Sequence, residues 1–403
     1  MKILLVHQNF PGQFLHLAPA LVSRGHQVVG LTAARNKRTA PVPVLRYRDP
    51  AERKVEGAAK TYAEMSERGV SVARAALQLT RQKGYVPDIV FGHGGWGETL
   101  FLREVWPEAR HLTYAEFYYR AKGADTGFDP EFQNVNGPNL SVVARRAHLL
   151  QALVEADAAL APTAWQASTY PKELRSKISV IHDGIDTDRV RPDPDARLSL
   201  PNGRILTPGD EVLSFVNRNL EPYRGYHIFM RALPEVMKAR PEAKIVIVGG
   251  DAQSYGPAPA KGMTWKQIFL DEVKDRVDLS RIHFLGNVPY PEFLSLLQVT
   301  RVHAYLTYPF VLSWSMLEAM SAGALVVGSR TKPVEELIRD GENGRLIDFF
   351  DVDGWAEALT AALADPEAAA PLRAAARATI SDSYDLKRHS LPRLVEFVEN
   401  AGR

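Results

Sequence analysis

Short apolar segments alternate with longer segments of helical periodicity along almost the whole chain. In the first half the strand-like segments are KILLV (2–6), QVVGLT (27–32), PDIVFGH (87–93), HLTYAEF (111–117), DAALAPT (157–163) and KISVIHDG (177–184). In the second half they are VLSFVN (212–217), KIVIVGG (244–250), RIHFLG (281–286), RVHAYLTYP (301–309) and ALVVGS (324–329). Strands that alternate with helices predict a parallel sheet covered by helices on both faces. The chain is therefore expected to be an α/β protein.

The chain is long enough for two such sheets, because 403 residues exceed what one ordinary core organises. Residues 186–212 interrupt the alternation, since they are rich in proline and have little periodicity. We interpret them as a linker or a pair of loops. We therefore predict two doubly wound, Rossmann-like domains, which cover residues 1–190 and 191–385. A final helix at 386–403 is expected to complete the first domain. Ligands in such folds bind at the carboxyl ends of the strands, which predicts a ligand in the cleft that the two domains face.

Composition excludes several classes of protein. An apolar share of 45% and a charged share of 24% are typical of a soluble globular chain. The net charge of +2 argues against a general nucleic-acid binder. Cysteine is absent, which excludes disulfides and thiolate metal sites and fits a cytoplasmic location. The sequence shows neither a signal-peptide pattern at its start nor an apolar run of membrane-spanning length.

The charge is nevertheless uneven along the chain. Residues 31–85 carry twelve Lys and Arg against five Asp and Glu. One interpretation is a solvated helix-and-loop face, which is the ordinary role of a charge run. The other is peripheral contact with an anionic membrane at its inner face. Both remain open at the level of sequence.

One carboxylate, Glu318, stands in the apolar and hydroxyl-bearing segment YPFVLSWSMLEAMSAG, residues 308–323. The preceding residues predict a strand, and MLEAMSAG predicts a helix that ends at Gly323. Glu318 has the spacing of a capping box with Ser315, which would give it a purely structural role. The alternative is a ligand contact near the start of the helix.

Two arginines flank another predicted strand-to-helix turn. Arg218 follows the strand VLSFVN directly, and Arg224 precedes the next helix. Two guanidinium groups beside a helix N-terminus bind a diphosphate without a metal ion, although a pair of surface arginines is the alternative. The pair Asp186 and Asp188 has D-x-D spacing, but it follows the turn HDGI, which favours a turn role. We therefore predict no metal site.

The segment GHGGWG, Gly92–Gly97, matches the dinucleotide-binding pattern G-x-G-x-x-G, and Glu116 follows Gly97 by 19 residues. This spacing permits an NAD-dependent enzyme. Against it, the motif follows a middle strand, and His93 and Trp96 are bulky. His93 is itself a candidate, because its imidazole stands at the end of a strand in a glycine loop; a hydrogen-bonded loop histidine is the alternative.

Taken together and in order, these segments resemble the retaining glycosyltransferases of the GT-B fold, glycosyltransferase family 4 (group 1), over nearly the whole chain. The segments that carry the resemblance are NFPGQFLHLAPALVSRGH, PDIVFGH, VIHDGIDTDRV, NRNLEPYRG, FLGNVPYPEFLSLL, FVLSWSMLEAMSAGALVVGS and DGENGRLIDFFD. The resemblance implies an acceptor-side domain at 1–190 and a nucleotide-sugar donor domain at 191–385. It implies transfer of a sugar from a nucleoside-diphosphate donor to an acceptor hydroxyl with retained anomeric configuration, without a metal ion or cofactor.

The resemblance also assigns roles to individual residues. His93, Arg218 and Arg224 would be catalytic, with the arginines on the donor diphosphate and His93 near the donor sugar. Glu318 would bind the donor ribose, in a helix that begins about one turn earlier than a capping box requires. The remaining donor-binding residues would be Gly12, Asn287, Val288, Pro289, Tyr290, Phe310, Val311, Leu312, Ser313 and Trp314. Among these, the backbone N–H groups of Leu312, Ser313 and Trp314 would face the diphosphate. The acceptor side would include Glu116, Tyr118 and Tyr119.

Phe310 departs from the family pattern, which has a glutamate facing the sugar at this position. The departure leaves open either an altered sugar contact or simple packing of Phe310 between the strand and the helix. Other functions remain as alternatives: a GT-B-type nucleotide-sugar epimerase, a non-catalytic nucleotide-sugar-binding protein and, more remotely, an NAD-dependent enzyme. The expected partners are a nucleotide-sugar donor and a sugar or lipid-linked acceptor, with no nucleic acid.

Overall fold

The computed structural model describes residues 1–51, 55–132 and 139–402, and the chain divides into two compact units. The described residues of the first unit are 1–51, 55–127, 139–184 and 386–402, and those of the second are 128–132 and 185–385. The first unit reaches Gly184 before the chain enters the second, six residues before the predicted boundary at 190. Ile185 and Val190 are buried in a core of the second unit, which places 185–190 there. Residues 128–132, which lie inside the predicted first domain, are grouped with the second unit as well.

The first unit is built on a parallel sheet. Among the described residues its strands are β1 (Lys2–Val6), β2 (Gln27–Ala33), β3 (Val44–Tyr47), β4 (Ile89–His93), β5 (Arg110–Tyr114), β6 (Ala158–Ala161) and β7 (Ile178–Val180), in the order β3-β2-β1-β4-β5-β6-β7. Ile3 and Leu5 of β1 enter one apolar cluster, while Leu4 and Val6 enter another. This alternation means that both faces of the sheet are covered.

The second unit contains a parallel sheet and a short antiparallel hairpin. The hairpin is β8 (Leu198–Ser199) with β9 (Ile205–Leu206), and the parallel strands are β10 (Val212–Asn219), β11 (Lys244–Gly250), β12 (Ile282–Gly286), β13 (Val302–Tyr305), β14 (Leu325–Ser329) and β15 (Arg345–Ile347), in the order β12-β11-β10-β13-β14-β15. The hairpin lies in the segment interpreted as a linker. Its leucines Leu198, Leu200 and Leu206 are buried against the second unit, so this part of the segment is packed structure.

Helices cover the faces of both sheets. Their bounds are α1 (Leu17–Ser23), α2 (Lys60–Lys83), α3 (Leu102–Val105), α4 (Leu140–Arg145), α5 (Ala147–Glu155), α6 (Ala164–Thr169), α7 (Tyr226–Ala239), α8 (Trp265–Val273), α9 (Tyr290–Val299), α10 (Trp314–Ala322), α11 (Lys332–Glu335), α12 (Val352–Ala364), α13 (Ala370–Ser383) and α14 (Leu391–Ala401). The last helix, α14, packs Leu394 and Val398 into the cluster beneath the first sheet, so the C-terminal residues belong to the first unit. Across the described ranges, no helix combines the length and the apolar character needed to cross a membrane.

Each sheet has a point where the direction of strand addition reverses. In the first sheet the chain adds β2 and β3 on one side of β1 and then crosses to place β4 on the other side. In the second, β11 and β12 lie on one side of β10, and β13 lies on the other. Because parallel strands end at the same edge, the loops after β1 and β4, and those after β10 and β13, diverge and leave crevices. These two places are where ligand-binding residues are expected.

Candidate functional sites

In the first unit, two histidines meet where β1 and β4 end. His7 directly follows β1, His93 is the last residue of β4, and the centroids of their rings are 5.5 Å apart. Tyr114, at the end of β5, stacks on His93 with the ring centroids 5.3 Å apart. His93 was a candidate from the sequence, whereas His7 was not, although it lies two residues before the motif NFPGQF.

His93 presents one ring nitrogen without a hydrogen-bond partner. The side chain is only 2% exposed, and its Nδ1 accepts a hydrogen bond from the Gly95 amide at 3.1 Å. A neutral imidazole that accepts at Nδ1 carries its proton at Nε2. Among the described residues this Nε2 has no hydrogen-bond partner and lies 3.6 Å from a carboxylate oxygen of Glu116. The geometry therefore leaves a buried N–H donor for a ligand oxygen.

The loop after β1 closes tightly over His7. Gly12 has φ +49°, and a Cβ atom at this position would lie 2.8 Å from Nε2 of His7. Only glycine fits this approach without displacing the ring. Gln13, the next residue, donates to a carboxylate oxygen of Glu116 at 3.3 Å. The structure thus brings together three residues selected from the sequence, Gly12, His93 and Glu116, and adds His7 and Gln13.

His7 is a neutral member of this cluster. Burial, together with the neighbouring His93 and Arg38, lowers the pKa of His7 to about 3. Its Nδ1 accepts from the Asn9 amide at 2.9 Å, so His7 also carries its remaining proton at Nε2. His7 therefore contributes a dipole and a shape to the site, and no positive charge at physiological pH.

The two predicted acceptor-side tyrosines lie in different surroundings. Tyr118 is buried in an apolar cluster, where its ring packs on Tyr170 with centroids 5.3 Å apart. Tyr119 is partly exposed, and the Arg145 guanidinium lies 3.9 Å from its ring centroid and donates to its hydroxyl at 3.1 Å. The burial of Tyr118 favours a packing role, whereas Tyr119 and Glu116 keep exposed surface; the acceptor contact of these residues stays a prediction.

In the second unit, Arg224 is a buried cation in the 3-10 turn Pro222–Arg224, which lies between β10 and α7. It is 6% exposed, and its Nη1 donates to the Thr307 hydroxyl at 2.7 Å and to the Val311 carbonyl at 2.8 Å. The guanidinium also lies 5.3 Å from the ring centroid of Tyr255 and 5.5 Å from that of Phe310. Within the parts of the chain that the structure describes, no Asp or Glu oxygen lies within 4.0 Å of it. A buried charge without a counter-ion is costly, which favours binding of an anion.

Arg218 differs from Arg224. It lies near the end of β10 and is exposed. The backbone here is close to Gly250 at the end of β11, where Asn287 also lies, with Nδ2 3.1 Å from the position of a Cβ atom on Gly250. The loop ends after β10, β11 and β12 therefore meet at one edge of the sheet. Arg218 belongs to this edge, and its exposed guanidinium has no hydrogen bond or ion pair with any described residue, so its contact with a diphosphate stays a prediction.

The loop between β13 and α10 is more internally bonded than the sequence suggested. Phe310 is 3% exposed, with its ring centroid 5.0 Å from that of Tyr223 and 4.9 Å from that of Tyr255. Leu312 is buried in the core beneath α10. The Ser313 amide donates to the Tyr305 hydroxyl at 2.8 Å, and its predicted contact with a diphosphate, which stays a prediction, would require it to exchange this partner. Its amide is already satisfied.

The helix α10 settles the capping question for Glu318. Its N-cap is Ser313, whose hydroxyl accepts from the Ser315 amide at 3.3 Å, so α10 starts two residues before the capping box of Ser315 and Glu318 would allow. Trp314, its first residue, is exposed. Glu318 instead accepts from the Tyr290 hydroxyl at 2.7 Å, and burial raises the pKa of its carboxyl group. This hydrogen bond joins Glu318 and Tyr290, two of the predicted donor-binding residues.

The neighbours of Tyr290 complete this edge. Arg189 lies over the Tyr290 ring, 4.5 Å from its centroid. Pro289 is exposed and is the N-cap of α9, while Val288 packs against the cluster that contains the hairpin leucines. Arg189 was not selected from the sequence, since it lies in the segment interpreted as a linker.

The dinucleotide hypothesis lacks its structural element. Gly94–Trp96 form one 3-10 turn with His93 as N-cap, and the next helix, α3, begins only at Leu102. A pyrophosphate fingerprint needs a helix that starts within the glycine motif. Gly92 lies inside β4, where a Cβ atom would come within 2.2 Å of Thr99 Cγ2, so packing alone requires this glycine.

The D-x-D pair lies in a turn. The Asp186 carbonyl accepts from the amides of Arg189 and Val190 at 3.0 and 2.7 Å. Over the described ranges, no group of three or more His, Cys, Asp and Glu is arranged to hold a metal ion.

Comparison with known proteins gives matches to two families. The family described as "Glycosyl transferase family 4 group" matches residues 24–190, and "Glycosyl transferases group 1" matches residues 203–379. D-inositol 3-phosphate glycosyltransferase of Mycobacterium avium is 30% identical over 212 residues, which are 52% of this chain and 47% of that protein. The GDP-mannose-dependent alpha-(1-6)-phosphatidylinositol monomannoside mannosyltransferase of Mycolicibacterium smegmatis is 29% identical over 208 residues, 50% of this chain and 51% of that protein. The matched region thus spans about half the length of these relatives.

The fold has a close counterpart among solved structures. A crystal structure of Anabaena HepE in complex with UDP and glucose superposes with a TM-score of 0.68 at 16% identity, covering 99% of this chain and 100% of that one. At this level of identity the likeness establishes the fold. It agrees with the two doubly wound sheets predicted from the sequence.

Proposed function

Because the chain belongs to the group 1 glycosyltransferases of family 4, which have the GT-B fold, we propose that it is a retaining hexosyltransferase. It takes a sugar from a nucleoside-diphosphate donor and transfers it to an acceptor hydroxyl without a metal ion. The observation that carries this proposal is Arg224, a buried guanidinium without a carboxylate partner among the described residues. A diphosphate supplies the missing negative charge.

Arg224 and Arg218 serve the leaving group. As the bond between the anomeric carbon and the diphosphate oxygen breaks, negative charge grows on the diphosphate. A cation already held by Thr307 and Val311 stabilises that charge without reorganising, and such electrostatic stabilisation is usually the main source of rate enhancement in an enzyme. Glu318 and Tyr290 bind the ribose and border the base, because their hydroxyl-carboxylate pair lies at the same edge of the sheet.

His93 serves the sugar. Its Nε2–H donates to a sugar oxygen and orients the ring, a role supported by its buried donor without a protein partner in the described structure. The acceptor oxygen then bonds to the anomeric carbon on the face from which the diphosphate departs. The acceptor proton passes to a diphosphate oxygen, so no side-chain base is needed and configuration is retained.

The relatives supply the donors and acceptors to test first. HepE was crystallised with UDP and glucose, and the mycobacterial relatives are named for GDP-mannose, inositol 3-phosphate and a phosphatidylinositol mannoside. A hexose on UDP or GDP is therefore the donor to test first, with a polyol, sugar or lipid-linked acceptor hydroxyl. An acceptor in a lipid would bring the protein to the membrane from the cytoplasmic side.

The experiment compares Arg224→Ala with Arg240→Ala, a partly exposed arginine of the same unit that pairs with Glu211. UDP- and GDP-hexoses are screened for thermal stabilisation and for release of nucleoside diphosphate with simple acceptors. Arg224→Ala should lower turnover by about two to four orders of magnitude, while Arg240→Ala stays near wild type. Near-normal turnover in a folded Arg224→Ala protein would overturn the diphosphate assignment.

The same preparation tests the remaining parts of the proposal. Proton NMR of the product reports whether the anomeric configuration is retained, and turnover in the presence of EDTA reports whether a metal ion is needed. Stabilisation by nucleotide sugars without hydrolysis, transfer or epimerisation would indicate a binding protein. Interconversion of two nucleotide sugars without an acceptor would indicate an epimerase.

A further inference from the structure

A short segment of the chain lies in the second unit, although the residues before it and residues 139–184 lie in the first. We call residues 128–132 the strap. Phe128 packs its ring against Tyr308, Phe349 and Phe350, with centroids 5.1 to 5.2 Å apart. At the other end of the strap, the Phe132 ring meets His227 and Trp265. Two aromatic anchors thus hold the strap on the second unit.

Between these anchors lies a buried carboxylate. Asp129 is 3% exposed, its Oδ2 accepts from the Tyr308 hydroxyl at 2.6 Å, and the same oxygen lies 3.1 Å from Nε2 of His227. Its Oδ1 accepts from the Glu131 amide at 2.9 Å. A buried carboxylate with these partners fixes their positions, because losing it would leave polar groups unsatisfied.

The partner Tyr308 leads directly to the arginine pocket. Its amide donates to the Tyr223 carbonyl at 3.1 Å, and the two rings lie 4.7 Å apart. Tyr223 immediately precedes Arg224, and Thr307, which accepts from Arg224, immediately precedes Tyr308. Asp129 of the strap is therefore hydrogen-bonded to Tyr308. This residue lies between Thr307 and Val311, the two residues that accept hydrogen bonds from Arg224.

We propose that the strap positions the diphosphate-binding arginine, and that Asp129 is the positioning residue, acting through Tyr308 on the loop 306–313. The catalytic consequence rests on the proposed function, whereas the structural consequence does not. Sequence patterns give no reason to assign this role to Asp129, which lies in a segment expected to serve the acceptor side. Its contacts on the second unit carry the inference.

The test uses the full chain with two substitutions and one control. Tyr308→Phe removes only the hydroxyl that Asp129 accepts from, and Asp129→Asn keeps the shape of the side chain while removing its charge. Glu131→Gln is the control, because Glu131 lies in the same strap but forms an exposed ion pair with Arg231. Hydrogen exchange, followed by mass spectrometry, is measured in peptides that cover 306–313 and, as an internal reference, β11.

Exchange in the peptide 306–313 should become about tenfold faster or more in Tyr308→Phe and in Asp129→Asn, with β11 unchanged. The affected amides include that of Tyr308, which donates to Tyr223, and that of Ser313, which donates to Tyr305. Glu131→Gln should match wild type. Wild-type exchange at 306–313 in Tyr308→Phe would overturn the proposal, and so would equal acceleration in β11, which would mean general destabilisation. If Asp129→Asn does not fold, Tyr308→Phe decides alone.

Turnover of UDP-glucose and GDP-mannose provides the second readout. In Tyr308→Phe we expect kcat to fall about tenfold while the melting temperature stays within about 3 °C of wild type. Unchanged kcat together with a loosened loop would overturn the catalytic role of the strap. If the wild-type protein turns over no nucleotide sugar, the proposed function fails, and the exchange measurement still decides whether the strap holds the loop.

Discussion

Glu318→Gln separates ligand binding from structural support at one carboxyl group. In the wild-type protein the Tyr290 hydroxyl donates to the Glu318 carboxylate at 2.7 Å. The substitution keeps the size of the side chain and an oxygen that can accept this hydrogen bond. What it removes is the negative charge. A loss of helix capping is not expected to contribute to the effect, because Ser313 and not Glu318 caps α10.

The expected effect on stability is small, and its sign follows from burial. Burial raises the pKa of Glu318 above its ordinary 4.5, so the folded chain holds the proton more tightly than the unfolded chain. The stability linked to this group is present below pH 4.5 and is lost as the pH rises through the raised pKa. Glutamine has no such loss. At pH 7.5 the variant should therefore melt at the wild-type temperature or slightly above it, by no more than about 3 °C.

The expected effect on donor binding is larger. Hydrogen bonds from ribose hydroxyls to a carboxylate are worth about 1.5–3 kcal/mol, which corresponds to roughly 10- to 150-fold in the dissociation constant. Isothermal titration with UDP and with GDP measures this change. Glu342→Gln is the matched control, since it neutralises an exposed carboxylate of the same unit that pairs with Arg339, and it should leave the dissociation constant unchanged. A fall of more than about 4 °C in melting temperature with an unchanged dissociation constant would refute the ribose assignment.

Three further predictions concern other groups. Phe310→Glu should lower turnover at least about tenfold, because the Arg224 guanidinium lies 5.5 Å from the centroid of the Phe310 ring and a carboxylate there would compete with the diphosphate. Phe310→Leu is the control, and a gain or switch in sugar use in Phe310→Glu would instead place residue 310 at the donor sugar. Burial raises the pKa of Glu98 to about 7, so its contribution to stability is lost between pH 4.5 and 7. The melting temperature of Glu98→Gln minus that of wild type should therefore rise across this window, and a flat difference would contradict the shift. Sedimentation with anionic vesicles tests the basic stretch 31–85, where Lys37, Arg46 and Arg48 are exposed: binding at low salt that is lost at high salt supports membrane contact, and no binding at low salt leaves a solvated face.

The sequence by itself determined the architecture and the positions of the charged and glycine residues at the strand ends. Alternation of strands and helices requires parallel sheets, and parallel sheets bring the residues after each strand to one edge. His93 therefore lies at the end of β4, and Arg224 lies in the turn between β10 and the next helix, where their order along the sequence predicted them. These predictions depend only on local periodicity and on which residue follows which strand.

Tertiary structure alone decided which of these groups are satisfied and which are left for a ligand. The Ser313 amide is occupied by Tyr305, eight residues earlier, and Phe310 is enclosed by Tyr223 and Tyr255, which come from other loops. Asp129 reaches Tyr308 across 179 residues of sequence. No local pattern encodes such contacts, because they depend on how distant loops pack at the edge of a sheet, and that packing sets burial, hydrogen-bond partners and charge balance.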